Sequence, residues 1–209
     1  MMSSLVVVHA DPAFVVVDKP PGLPSVPGRA PGLQDCVAAR VQALFPEARV
    51  VHRLDMDTSG LMVMALGLTA QRALSLAFEQ RRTDKRYEAL VHGCPAQARG
   101  SIDLPLRADW PRRPRQIVDP VSGRAALTHW TVLTEGDGRA RLSLQPVTGR
   151  SHQLRVHLAA IGHPIVGDPL YGPADADPSA PRMCLHATAL SLPHPLDGRR
   201  VDFCSPAPF

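Results

Sequence analysis

At 209 residues the chain has room for one sizeable hydrophobic core, and 44% hydrophobic with 20% charged residues marks a globular protein rather than a disordered one. No stretch approaches the roughly 20 continuous apolar residues of a membrane span, and the segment from Met1 to His9 lacks the basic leader of a signal peptide, so a cytoplasmic single domain is expected. The net charge of +4 is mild, yet of 23 Lys and Arg only Lys19 and Lys85 are Lys; the planar Arg fork suits phosphates and bases, while a G+C-rich genome raises Arg together with Pro.

The chain opens with two Val-rich runs, Leu5 to Val8 and Phe14 to Val17, which read as a strand pair around a short turn. Asp18-Lys19-Pro20-Pro21-Gly22-Leu23 breaks the second strand, as such residues do in ordinary turns. Leu33, Val37, Val41, Leu44 and Phe45 then fall on one face of a helix that ends before Pro46. Next comes a polar stretch, His52-Arg53-Leu54-Asp55-Met56-Asp57-Thr58-Ser59-Gly60, which leads straight into the apolar run Leu61 to Leu66. That run predicts a strand buried on both faces, so the polar stretch sits at the mouth of the core. By composition alone it could be a solvated turn. Asp57 is expected to accept a hydrogen bond that stabilises the loop.

Thr69 is the expected N-cap of a second helix, with Ala73, Leu74, Ala77 and Phe78 as its buried stripe and Arg81 and Arg82 near its C-terminal end. Lys85 to Gly93 alternates as a strand, placing Tyr87, Ala89 and Val91 on one face. Residues 103–119 mix Arg107, Arg112, Arg113 and Arg115 with Trp110 and several prolines. Such a mixture suits RNA, where cations meet phosphates and aromatic rings meet splayed bases, and it equally suits an exposed, proline-broken loop. Thr128 to Thr134 and Ala140 to Gln145 are strands, and the Asp137-Gly138 pair between them signals a hairpin.

From Ser151 a third helix is expected, capped by Ser151, with Leu154, Leu158 and Ile161 as its apolar face and Gly162 and Pro164 as its stop. His152 and His157 on that helix would point about 140 degrees apart, against about 40 degrees for the paired ligands of metal helices, so no metal site is expected. The four cysteines stand singly, which suggests neither a zinc cage nor a disulfide framework. Pro173 to Pro181 reads as a mobile loop. Strand pairs and hairpins outnumber strand-helix-strand units, so the expected fold is α+β with a central, mainly antiparallel sheet flanked by helices.

His-Arg-Leu-Asp-x-x-Thr-Ser-Gly resembles the signature of the RluA-type pseudouridine synthases, RNA-modifying isomerases. The likeness continues in Lys19-Pro20-Pro21-Gly22, in Arg86-Tyr87, in Thr148-Gly149-Arg150-Ser151-His152-Gln153-Leu154-Arg155, in Gly167 to Gly172 and in Leu185-His186-Ala187. It implies that Asp55 is the catalytic nucleophile, that Tyr87 stacks on the target uracil, and that Arg155 pairs with the Asp, with Arg150 as its rival. Leu185 is expected to pack against the active site. Arg53 is expected to fill the place of the flipped nucleotide or hold its phosphate, with His52, Arg150, Trp110, Arg112, Arg113 and Arg115 as further substrate contacts.

The resemblance further implies a pseudouridine synthase catalytic domain over 1–209 without the small S4-like N-terminal RNA-binding domain of larger members. Isomerising uridine involves neither redox chemistry nor phosphate transfer, so no cofactor is implied. A carboxylate can attack sugar or base, or take a proton from the sugar, and a nearby Arg favours its ionised form. In its short length and its Trp110 segment the chain is most similar to members that act on both a 23S rRNA hairpin and the tRNA anticodon stem-loop. A monomer with RNA as its only partner is the expectation. Two other readings stay open here: a catalytically silent RNA-binding protein of the same fold, and a metal-dependent hydrolase using His52, Asp55, Asp57 and a later His.

Overall fold

The computed structural model describes residues 5–28, 31–173 and 181–209; residues 174–180, most of the loop expected between Pro173 and Pro181, lie outside the described residues. The chain gathers into two compact units. The first runs up to Lys85 and resumes over His186–Pro208, and the second covers Arg86–Leu185 with Phe209. Both rest on largely antiparallel strand ladders, and three α-helices occur among the described residues, the α+β class that the strand pairs predict. None of these helices is long and apolar enough to cross a membrane.

In the first unit, β1 (Val6–Ala10) and β2 (Phe14–Lys19) pair antiparallel around Asp11, whose carboxylate accepts the N–H groups of Ala13 at 2.7 Å and Phe14 at 3.0 Å. Then β2 runs antiparallel along β4 (Ser59–Leu66), from Phe14 opposite Ala65 to Lys19 opposite Gly60. The apolar run 61–66 is buried almost throughout, as a strand with both faces covered must be. Its other edge is shared. At its start β11 (Leu185–Pro193) lies parallel, with His186 opposite Ser59, and at its end β3 (Ala48–Val50) lies antiparallel, with Val50 opposite Met64. Finally β12 (Arg200–Cys204) extends β11.

Two helices start elsewhere than their composition suggests. The first, α1 (Val37–Leu44), begins after Cys36, whose Sγ accepts the Ala39 N–H. Leu33 belongs to a separate turn in which its carbonyl accepts the Gly28 N–H at 2.8 Å. Leu33 and Leu44 are exposed, and the buried face reduces to Val37, Ala38 and Val41. The second, α2 (Gly67–Glu79), starts two residues before Thr69, because Gly67 takes φ +79° and turns β4 directly into the helix. Ala70, Leu74 and Ala77 bury its inner face against β4, with Ala73 only partly covered.

In the second unit the ladder order is β5 (Asp84–His92), β10 (Arg139–Pro146), β9 (Leu127–Gly136) and β6 (Arg99–Asp103), all antiparallel. Asp137 and Gly138 both adopt positive φ, 52° and 68°, the requirement of the tight hairpin turn that Asp-Gly announces. Tyr87, Ala89 and Val91 lie opposite Leu144, Leu142 and Ala140, and all six join a core with Leu154, Leu158 and Leu185. Residues 106–118 form a hairpin rather than a structureless loop, with β7 (Leu106–Ala108) paired to β8 (Gln116–Val118).

Candidate active site

The nine residues 52–60 are held by bonds from both flanks. Ser25 Oγ donates to the Leu54 carbonyl at 2.7 Å and accepts the Leu54 N–H at 3.1 Å. Lys19 is wholly buried and donates through Nζ to the carbonyls of Pro20, Leu23 and Met56 at 2.9, 2.6 and 2.7 Å. The Thr58 N–H closes a turn on the Asp55 carbonyl at 3.1 Å. Burial alternates with these bonds: Leu54 and Thr58 are buried, Arg53 is exposed, and Asp55 and Asp57 are partly exposed. A carboxylate and a guanidinium two residues apart thus project from a fixed backbone. The turn is closed by the backbone, through the Thr58 N–H and the Asp55 carbonyl.

His52 sits where the edge of β4 changes partner. Beyond the last β3 pairing, at Met64, the Val63 N–H finds its acceptor in His52 Nε2 at 3.0 Å, while the imidazole stacks on Phe78 at 4.6 Å. An acceptor nitrogen must be unprotonated. Burial first, and the Lys85 charge second, push its pKa down to about 3. The unfolded chain therefore takes up a proton below about pH 6.5 that the folded chain refuses, so stability is full above that pH and falls as pH drops toward 3. His157, also pushed down by burial, shares this limb. Replacing His52 by Gln, a neutral acceptor, is expected to flatten part of the fall in urea midpoint between pH 6.5 and 4; an unchanged profile would show that His52 is not held neutral.

The far end of the loop is anchored by a buried chain of side chains. Ser59 Oγ lies 2.7 Å from His186 Nδ1, His186 Nε2 lies 3.1 Å from Ser205 Oγ, and Ser205 donates to Asp18. Gly60, at φ +108°, passes so close to β11 that a Cβ would stand 2.4 Å from the Ala187 carbonyl oxygen. Only glycine fits that approach.

The other motif residues lie in the second unit. The helix α3 (Gln153–Ala160) begins at Gln153, with His152 at φ 54° in the N-cap position, and not at Ser151, which is exposed. Gln153 braces the turn before the helix, its Oε1 accepting the Arg150 N–H at 3.0 Å. The helix is buried from Gln153 to Leu158, and its polar groups there are all satisfied. Gln153 Nε2 donates to the Leu127 carbonyl, and His157 bonds Thr128 Oγ1 and the Leu104 carbonyl. Arg155, 2% exposed, gives Asp168 two parallel bonds of 2.7 Å. His152 Nδ1 meets the Tyr171 hydroxyl at 2.8 Å, so the two histidines serve different partners. Arg150 is half-buried and donates from Nε to the Ala125 carbonyl at 3.0 Å. Tyr87 packs partly buried against the core that includes Leu185.

The basic segment is ordered by its own pairs. Arg107 bonds Asp119 at the base of the hairpin, and buried Asp109 accepts Arg112 Nε at 2.6 Å. Trp110 is 67% exposed with the Arg113 guanidinium 4.0 Å above its ring, and Arg115 lies 5.4 Å over Tyr171. An exposed indole carrying a stacked cation offers a surface on which an unpaired base can stack.

Sequence reasoning passed over Ser25, Ser205, Asp168 and Tyr171 as participants and took Lys19 mainly as part of a turn. The legible signals were motif membership: Lys19 opens Lys19-Pro20-Pro21-Gly22, and Asp168 and Tyr171 fall within Gly167 to Gly172.

Compared with known proteins, residues 13–160 match the sequence profile of the RNA pseudouridylate synthase family. The dual-specificity RNA pseudouridine synthase RluA of Escherichia coli strain K12 is 48% identical over 206 residues, covering 98% of this chain and 94% of that protein. Its namesake in Pasteurella multocida is 44% identical over 204 residues, covering 97% and 93%. Among solved structures, human RNA pseudouridylate synthase domain containing 1 superposes with a TM-score of 0.84 at 33% identity, covering 100% of this chain and 86% of that one.

Proposed function

The chain belongs to the RNA pseudouridylate synthase family and is an RNA pseudouridine synthase, and from that premise we propose that Asp55 is the nucleophile of an isomerase acting on uridines in small RNA stem-loops. The observation that carries this reading is the loop itself: its neighbours are tied down on both sides while the Asp55 carboxylate rides on the fixed backbone. The reaction breaks the N-glycosidic bond, turns the uracil and joins C5 to the sugar, C5 releasing its proton and N1 taking one up. A carboxylate can attack covalently and leave again, with no cofactor called on.

Arg53, exposed two residues before Asp55, holds the flipped nucleotide or fills its place in the stack. His52 serves by fixing the loop. To Tyr87, Arg155 and Leu185 we assign the roles that the motif resemblance carries: stacking on the uracil, pairing with the catalytic carboxylate, and packing against the active site. The in-plane hold of Asp168 on Arg155 supports a guanidinium kept in one orientation.

The substrates we propose are a 23S rRNA hairpin and the tRNA anticodon stem-loop, met in the cytoplasm by a monomer. The relatives named as dual-specificity enzymes, and the exposed Trp110 with Arg112, Arg113 and Arg115, support that choice; Arg150 adds a further phosphate contact. Both isolated hairpins are expected to be modified, as read by tritium release from 5-labelled uridine. Replacing Arg112, Arg113 and Arg115 together by Gln should weaken hairpin binding by about tenfold or more and lower the salt slope by about 0.7 for each phosphate that is no longer neutralised. Modification of intact ribosomal subunits alone would rule out the stem-loop substrates.

A further inference from the structure

We propose that Tyr171 is a positioning residue whose hydroxyl ties the Trp110 hairpin to the start of α3, so that one side chain sets the RNA-facing hairpin against the helix that bears Arg155. The proposal rests on the reading of that hairpin as an RNA contact.

Three elements meet on this ring. The Gln116 N–H, at the first residue of β8 and directly after Arg115, donates to Tyr171 Oη at 2.7 Å. His152 Nδ1, at the N-cap of α3, lies 2.8 Å from the same oxygen. A phenol oxygen both accepts and donates, so it accepts from Gln116 while bonding His152 at the same time. The ring carries the Arg155 guanidinium at 5.2 Å and the Arg115 guanidinium at 5.4 Å. Its backbone is fixed as well, since the Tyr171 N–H donates at 3.1 Å to the same Asp168 that holds Arg155.

At its base the hairpin packs Leu106 and Val118 with Val156 of α3, and the Tyr171 hydroxyl acts at the other end. Ala108 to Gln116 is the last rung of its ladder, and residues 109–115 bond chiefly to one another. His152 also occupies a left-handed conformation that a side chain other than Gly seldom adopts, and its bond to Tyr171 helps to hold it there.

Tyr171→Phe isolates the tie, because it keeps the ring between the two guanidiniums and removes only the hydroxyl. In the protein without RNA, amide exchange at Gln116 is expected to quicken by about two- to tenfold, one hydrogen bond's worth. In steady-state assays on the hairpin substrate the variant should raise KM by about tenfold and change kcat less than threefold, since Arg155 keeps Asp168. Trp110→Ala should raise KM too, and adding Tyr171→Phe to it should change little more.

Unchanged exchange at Gln116 would overturn the proposal, and so would a Tyr171→Phe effect that multiplies in full with that of Trp110→Ala. Should Trp110→Ala leave KM untouched, it is the RNA-contact reading that fails; the exchange measurement, made without RNA, still decides whether the tie exists.

Discussion

Asp55→Asn is expected to reduce turnover to less than about a hundredth of wild type while leaving hairpin affinity within about threefold. Asn matches Asp in size and shape, and the bonds that hold the loop run through other atoms: the Leu54 backbone to Ser25, the Met56 carbonyl to Lys19 and the Ser59 hydroxyl to His186. The fold should therefore survive, and the loss should be chemical. Affinity depends mainly on cations and stacking side chains, which the substitution leaves in place. Tritium release from 5-labelled uridine, beside a filter-binding titration, separates the two. Turnover well above that limit would remove Asp55 from the chemistry.

Asp168→Asn is expected to be strongly destabilising, more so than Asp55→Asn. It leaves the Arg155 guanidinium, 2% exposed, without the carboxylate that takes two of its N–H groups. Breaking a buried pair from one side costs about 3–5 kcal/mol, because the remaining charge cannot reach water. For a chain of this size that lowers the melting temperature by roughly 6–20 °C. Asp168 also accepts the N–H groups of Leu170 and Tyr171, which the Asn carbonyl can still do, so the loss reports the ion pair. Replacing both partners by Leu should cost less than the single change. A melting temperature within about 2 °C of wild type would show that Arg155 is satisfied by other means.

The strands were legible because their signals are local. Alternation gave β5, Asp-Gly gave the turn of the β9–β10 hairpin, and a run of apolar residues gave β4. Helix starts were not, for one shared reason: Cys36, Leu66 and His152 occupy the N-cap positions, and none is among the residues that usually announce a helix. The hairpin at 106–118 was hidden by prolines and arginines that suppress strand propensity, and its order comes from ion pairs such as Arg112 with Asp109. The Asp55 loop announced itself by its motif, whereas some of the groups that fix it did not. Ser25 and Ser205 are unremarkable in sequence and gain meaning only when folding brings them to the loop.

The bond between Ser59 and His186 spans 127 positions of chain. At about 5–20 residues per second, a ribosome needs roughly 6–25 s to make the second partner after the first. Throughout that interval the nascent Asp55 loop lacks its far anchor, together with the β11 backbone against which Gly60 is fitted. The growing chain therefore leaves the ribosome with the Asp55 carboxylate still unaimed. An RNA modifier made amid abundant RNA thus acquires its competence only once the strand bearing His186 has emerged.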